Sequence, residues 1–306
     1  MSSCSRCFES SKQAKLAEGA DRISGLPDEI LGHILCFLPT KYAVGTSVLS
    51  HRWQYLFTLI TNFDFDETLV FSSRGSVASY HDLSESKLNS LCKRYSKGYS
   101  KFKYFVDRVL MLCKSTHMNK FRLNCAKRYD SNHIKRWIEF ALLKGVSELD
   151  VFTYQFNSSV TQQLFVCATL VVLKLHGKFE MKLPESYFLP NLKFLQLKSG
   201  KFPEKFPLNS LISGCPMLED LVIESRWGYD VKVITISSPT LINMTLNFTT
   251  TGFGWPRTDV LLDLPNLKHM IIMNPPQNFR DSMTELLHGV SSAKHLHLSG
   301  DLEVAL

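Results

Sequence analysis

The chain has 306 residues, 44% of them hydrophobic, and a formal net charge of +7. That is enough apolar material for a packed core with a small module besides, and no run approaches the roughly 20 uninterrupted apolar residues of a spanning helix. The eight cysteines are scattered, several in apolar surroundings (Cys36, Cys113, Cys167). This argues against a disulfide framework and for reduced thiols in the nucleus or cytoplasm.

Residues 1–20 lack the apolar segment of a secretory signal and read as a disordered tail. Cys4 and Cys7 form a lone CxxC there, and without a second pair it is weak evidence for zinc. The next stretch, LPDEILGHILCFLPTKYAVGTSVLSHRW from Leu26 to Trp53, is the most informative in the chain. Pro27 suits the first turn of a helix, and Asp28 and Glu29 complement the helix dipole. Leu26, Ile30, Ile34 and Leu38 recur every four residues with Leu31 and Leu35 beside them, an apolar stripe too wide for one short helix to bury alone. Pro39 ends this helix, Thr40 can cap a second over Lys41–Val48, and Ser50 can cap a third holding Arg52 and Trp53. Three short helices make a poor independent core and need a partner.

These residues resemble the F-box, the module that docks F-box proteins onto the Skp-type adapter of a cullin-RING ubiquitin ligase. The resemblance rests on Leu26-Pro27, Ile30-Leu31, Ile34-Leu35, Leu38-Pro39 and Leu49-Ser50-His51-Arg52-Trp53, with His51 standing where the family usually has Lys. It implies a module over residues 21–60 whose adapter face holds Leu26, Pro27, Ile30, Leu31, Ile34, Leu35, Leu38, Pro39, Leu49 and Trp53. On that reading Leu31→Asp abolishes adapter binding while the rest of the chain stays folded.

Residues 61–104 read as a linker with an exposed basic loop. Lys93, Arg94, Lys97, Lys101 and Lys103 alternate there with Tyr95, Tyr99, Phe102 and Tyr104. Bases paired with rings could grip phosphates and stack on nucleobases, so nucleic-acid binding is a rival reading. The Ser-rich composition is that of a solvated connector, which disfavours it.

From residue 105 to 306 the pattern apolar-x-x-apolar-x-apolar recurs. The triples are Met118/Phe121/Leu123, Val146/Leu149/Val151, Leu170/Leu173/Leu175, Leu192/Leu195/Leu197, Leu218/Leu221/Ile223, Leu241/Met244/Leu246, Leu267/Met270/Ile272 and Ala293/Leu296/Leu298. Their central positions fall 22 to 28 residues apart, the period of leucine-rich repeats, in which each unit supplies one short parallel strand and a return segment. Helical returns are expected over Tyr104–Cys113 and over His133–Leu143, the latter ending at Gly145. The Asn or Cys that regular repeats place three residues past the last strand leucine is missing. The spacing therefore predicts an irregular solenoid with a parallel sheet on its concave face, rather than a doubly wound α/β sheet, for which the returns are too short.

On each strand the residues alternating with the core leucines face the concave side. They include Lys120, Arg122, Asp150, Phe152, Lys174, His176, Phe194, Gln196 and Lys198, then Asp220, Glu224, Asn243, Thr245, His269, Met273, His295 and His297. This mixed face, and Lys174 to His269 in particular, suits an unidentified protein target. His295 and His297 lack a third ligand in register, so no metal is expected, and nothing specifies a cofactor. No GxSxG, HExxH or phosphate-binding glycine loop occurs.

An F-box followed by irregular leucine-rich repeats resembles the plant F-box/leucine-rich-repeat family, many of whose members carry a C-terminal FBD domain that would begin about where this chain stops. Further landmarks are Gly214-Cys215-Pro216-Met217-Leu218-Glu219 and Val290-Ser291-Ser292-Ala293-Lys294. The resemblance implies a non-catalytic substrate-recognition subunit of an SCF-type ligase, with no membrane partner. The alternative is a repeat protein whose F-box is vestigial.

Overall fold

The computed structural model describes residues 22–23, 25–70, 96–125, 129–156, 162–178, 187–199, 208–225, 233–248, 259–274 and 293–299. The expected tail, the CxxC pair and the basic residues Lys93 and Arg94 lie outside them.

The chain begins with a compact helical unit. Helix α1 spans Asp28–Leu35 with Pro27 at its N-cap and Asp28 and Glu29 in its first turn. Its end tightens as the Phe37 and Leu38 N–H groups bond the Ile34 and Leu35 carbonyls, and Pro39 prevents continuation. Helix α2 spans Thr40–Gly45, and 3₁₀ turns follow at Thr46–Val48 and Trp53–Leu59. Neither Thr40 nor Ser50 caps as expected. Pro39 takes the N-cap position of α2, and Arg52 that of the last 3₁₀ turn.

The Thr40 hydroxyl has another use. It is buried, and it accepts the backbone N–H of Asp64 at 2.8 Å. Asp64 belongs to strand β1 (Asn62–Asp66), followed at once by the short helix α3 (Glu67–Val70). The sheet therefore starts inside the stretch expected to be linker. The rest of that stretch also departs from the expectation where it is described: helix α4 covers Ser96–Leu112, and Phe102 is fully buried in it.

The remaining elements are β2 (Lys120–Cys125), α5 (Ser131–Leu143), β3 (Glu148–Gln155), β4 (Val172–Lys178), β5 (Phe194–Ser199) and α6 (Leu208–Ser213). They continue with β6 (Asp220–Ser225), β7 (Val233–Ser237), β8 (Asn243–Phe248), β9 (Asp259–Asp263), β10 (His269–Met273) and β11 (His295–Ser299). Among the described residues, nine strands form one parallel sheet in the order β1-β2-β3-β4-β5-β6-β8-β10-β11. Each strand of this sheet pairs in parallel with the one before it, in continuous register except for a slip between β3 and β4 past Phe152. A solenoid requires this, and the reversed strand order of a doubly wound sheet does not allow it. Helix α5 is capped by Asp130, whose carboxylate accepts the Asn132 N–H at 3.0 Å. It ends at Gly145, whose φ of +65° lets Val146 N–H reach back to the Ala141 carbonyl.

The strand triples behave as the pattern predicts. The first seven are buried, and together with Ile134, Trp137, Leu31 and Leu35 they form one continuous core. The eighth differs: β11 stands at the sheet edge among the described residues, and Leu296 is exposed. Among the described residues, two returns carry a strand. β7 and β9 pair in parallel as a separate ribbon that buries Ile234 and Ile236. In the sheet itself, a column of small side chains turns inward two residues past the second strand leucine: Cys125, Thr153 and Ser225 are all buried. No described helix is long and apolar enough to cross a membrane.

Candidate functional site

Two surfaces stand out. The first is on the helical unit. Arg52 holds that unit closed, donating to the Asp28 carboxylate from Nε (2.9 Å) and Nη2 (2.7 Å) and to the Leu26 carbonyl. Gly32 lets α1 lie directly on the last 3₁₀ turn, because a Cβ there would stand 3.1 Å from Leu59 Cβ. With the unit so closed, the predicted docking set divides. Leu31 (0% exposed), Leu35 (1%) and Trp53 (8%) point into the chain's own core. Their burial corrects the expectation that they offer themselves to a partner. Ile30 (47%), Ile34 (42%), Leu38 and Leu49 stay exposed, Pro27 is exposed as well, and Leu26 and Pro39 are partly covered. Phe37 (76%), Tyr42 and Val48 (88%) join them. These three lie between the positions read from periodicity, Phe37 and Val48 in turns and Tyr42 on the six-residue helix α2, too short for a period to show.

The second surface is the open face of the sheet. Every residue assigned to it by alternation lies in a described strand and, on the register of the sheet, in one of three solvent-side columns. One column reads Asp64, Arg122, Asp150, Lys174, Gln196, Val222, Thr245, Ile271 and His297 across successive strands. Asp64 and Asp66, missed with β1, change the electrostatics. Arg122 donates to Asp64 at 2.6 Å, lies 3.4 Å from Asp66 and reaches Asp150 at 3.9 Å. Lys120 pairs with Glu148 at 2.7 Å, and Lys198 with Glu224 at 2.8 Å. Farther along, Asn243 donates to Asp220 at 2.6 Å and faces His269 Nδ1 at 2.8 Å, while the His269 ring stacks on His295. Phe152 meets His176 edge-on, and Lys174 Nζ lies 5.1 Å from the Phe194 ring centre.

Burial opposes the ionised form of Asp66, yet hydrogen bonds from Thr68 and Asn124 and the charge of Arg122 outweigh it, holding the carboxyl below its ordinary range. A carboxyl depressed in the fold contributes stability above its unfolded pKa, and loses it as pH falls through the folded value. Urea midpoints should therefore drop as pH falls below about 4, the ordinary aspartate value. Asp66→Asn should flatten that acid limb, and an unchanged limb would refute the assignment.

The chain's excess positive charge does not concentrate on this face. Asp64, Asp66, Glu148, Asp150, Asp220 and Glu224 offset its bases, which does not suit a phosphate backbone. Phe102, proposed to stack on bases, is in the core. Among the described residues no group of three His, Cys, Asp or Glu side chains could hold a metal. Of the five described cysteines, all free, Cys125 and Cys215 are buried, and burial pushes the Cys215 thiol up to about 12. An open cavity of about 380 Å³ lies at the turns before β6, β8 and β10, lined by residues including Glu219, Thr240 and Lys268.

Comparison with known proteins follows the same division. Residues 23–63 match the F-box domain family, and residues 134–306 match the family described as FBD-associated F-box protein At5g56370, LRR repeats. The F-box/LRR-repeat protein At4g14103 of Arabidopsis thaliana is 36% identical over 263 residues, 83% of this chain and 62% of that protein. Its counterpart At3g59200, also of Arabidopsis thaliana, is 38% identical over 256 residues, 82% of this chain and 45% of its own length. The FBD-associated F-box protein At4g10400 of the same plant is 32% identical over 232 residues, 74% of this chain and 51% of that protein. The chain thus spans about half the length of these relatives. No solved structure matches it.

Proposed function

Because the chain belongs to the F-box/leucine-rich-repeat family, we propose that it is a substrate-recognition subunit of an SCF-type ubiquitin ligase, acting in the nucleus or cytoplasm. The observation that carries this reading is the cluster of exposed apolar side chains on the helical unit: Ile30, Ile34, Phe37, Leu38, Val48 and Leu49. A helical unit whose own core is already filled gains nothing from exposing such a patch, and a patch of this kind marks an interface. A Skp-type adapter covers it, in an interface of about 1,200–2,000 Å² in which a few central anchors supply most of the energy. The open face of the sheet holds the target. Ubiquitin transfer then proceeds by proximity to a charged enzyme carried by the cullin, so this chain contributes orientation and no nucleophile.

The test is calorimetric titration of the full chain with purified Skp-type adapter, wild type beside Ile34→Asp. Ile34 is exposed in the free chain, so the variant should keep its circular dichroism. It should bind about 100-fold more weakly or worse, since an unpaired carboxylate buried in the interface costs about 3–5 kcal/mol. A folded wild type that does not bind the adapter would refute the reading.

A further inference from the structure

We propose that the target docks across strands β4 to β10 as an extended segment, setting a carboxylate against Lys174 and apolar side chains against Val222 and Ile271. This rests on the reading of the open face as the target surface and gives the target its chemistry.

The face is not uniform. Toward the F-box its charges are satisfied within the chain, Lys120 by Glu148 and Arg122 by Asp64 and Asp66. A ligand competing for them would break one ion pair to make another, with little net gain. Lys198 is likewise engaged by Glu224. Lys174 differs. Its ammonium lies over the Phe194 ring, and among the described residues no carboxylate comes within ion-pairing distance. A cation half-buried beside an aromatic ring and lacking a counter-ion is suited to an incoming carboxylate.

Beyond Lys174 the same register column carries Gln196, Val222, Thr245 and Ile271. Val222 and Ile271 are aliphatic side chains on the solvent side of a sheet whose other face already buries the leucines. The Thr245 methyl continues the patch between them. β-branched residues favour any strand, but three of them side by side on the solvent face also make an apolar patch of the kind found at the centre of an interface.

The spacings suit an extended ligand. Lys174 and Val222 are separated by two strand steps, as are Val222 and Ile271, because β7 and β9 lie in the other sheet. Two steps of about 4.8 Å match three residues of extended polyproline II chain at about 3.1 Å each, and its three-residue turn brings every third side chain to the same face. A segment crossing the strands would thus present an acidic residue, then an apolar residue three positions on, then another three beyond that.

The experiment is selection of a random dodecapeptide phage library on the immobilised full chain, with circular dichroism and the urea midpoint of every variant as the control for folding. Wild type should enrich peptides carrying the acidic–x–x–apolar–x–x–apolar pattern. Lys174→Glu should switch the enriched charge from acidic to basic, an inversion that a general loss of stability would not produce. Ile271→Asp should reduce recovery of the wild-type peptides about tenfold or more, as loss of an interface anchor does, and Glu148→Gln should leave it unchanged. No enrichment, or enriched sequences indifferent to Lys174→Glu, would overturn the proposal. Adapter binding is read separately, so that result would leave the adapter assignment standing, and adapter failure would leave this one standing.

Discussion

Leu31→Asp is expected to unfold the helical unit, not merely to spoil a docking face. Leu31 is fully buried in the core shared by α1, the last 3₁₀ turn and the sheet. Truncating such a leucine to alanine alone costs about 2–5 kcal/mol, and a carboxylate adds the penalty of an unpaired buried charge. Against a total stability of about 5–15 kcal/mol, that is enough to melt the unit. The damage should spread, because Thr40 satisfies the Asp64 N–H and the Lys114 N–H bonds the Thr58 carbonyl at 2.9 Å. Amide exchange at 62–66 and 120–125 should accelerate along with that of α1. Ile34→Asp, one helical turn on but exposed, should cost less than about 0.5 kcal/mol. Native-like exchange in Leu31→Asp would refute this account. Loss of adapter binding by Leu31→Asp therefore reports unfolding, and the docking face must be probed at Ile34.

Gly177→Ala should be nearly as damaging, for a backbone reason. Gly177 has a φ of +147°, and a Cβ there would stand 2.0 Å from the Thr153 carbonyl oxygen. Strand β3 slips register against β4 between Phe152 and Gln155, and Gly177 fills the tight side of that bulge. That contact is with backbone and cannot relax by rotating a side chain, so the strand must move. Strain at such a φ and overpacking each cost about 1–3 kcal/mol. Denaturant unfolding should show a loss of about 2–6 kcal/mol. Gly45→Ala, where nothing lies within 4 Å of the added methyl, serves as the neutral comparison. Equal midpoints for the two variants would disprove the argument.

What could be read without coordinates was whatever repeats. The triples of the solenoid are periodic, and the burial of the first seven followed from leucine position alone. The open-face columns followed too, since alternation fixes them once a strand is placed. The first strand escaped although Ile60, Phe63 and Phe65 obey the same spacing. The gap from Phe63 to Phe121 is far longer than the repeat period, and periodicity cannot see past an insertion. With β1 went Asp64 and Asp66, and with them the reason that Arg122 is not a free cation. On the helical unit, a stripe showed which residues were apolar but not which of its two flanks faced inward. That was decided by tertiary packing, through the last 3₁₀ turn closing over α1 at Gly32. The ribbon of β7 and β9 was missed because return segments carry no repeat signature, although Val233 to Ser237 alternates as a strand does.

The hydrogen bond from Asp64 to Thr40 has a metric consequence. It fastens the module assigned to the adapter to the first rung of the sheet, and each later rung is fastened to the one before. The molecule is then graduated like a ruler with its zero at the helical unit. Rungs lie about 4.8 Å apart, so a target gripped between β4 and β10 would begin about 14 Å from that zero and end about 34 Å from it. The pairing of β1 with β2 sets this spacing, so the length of chain between them does not enter the distance. On the function proposed for this chain, which lysine of a captured protein is brought within reach would be governed by how many rungs precede the grip.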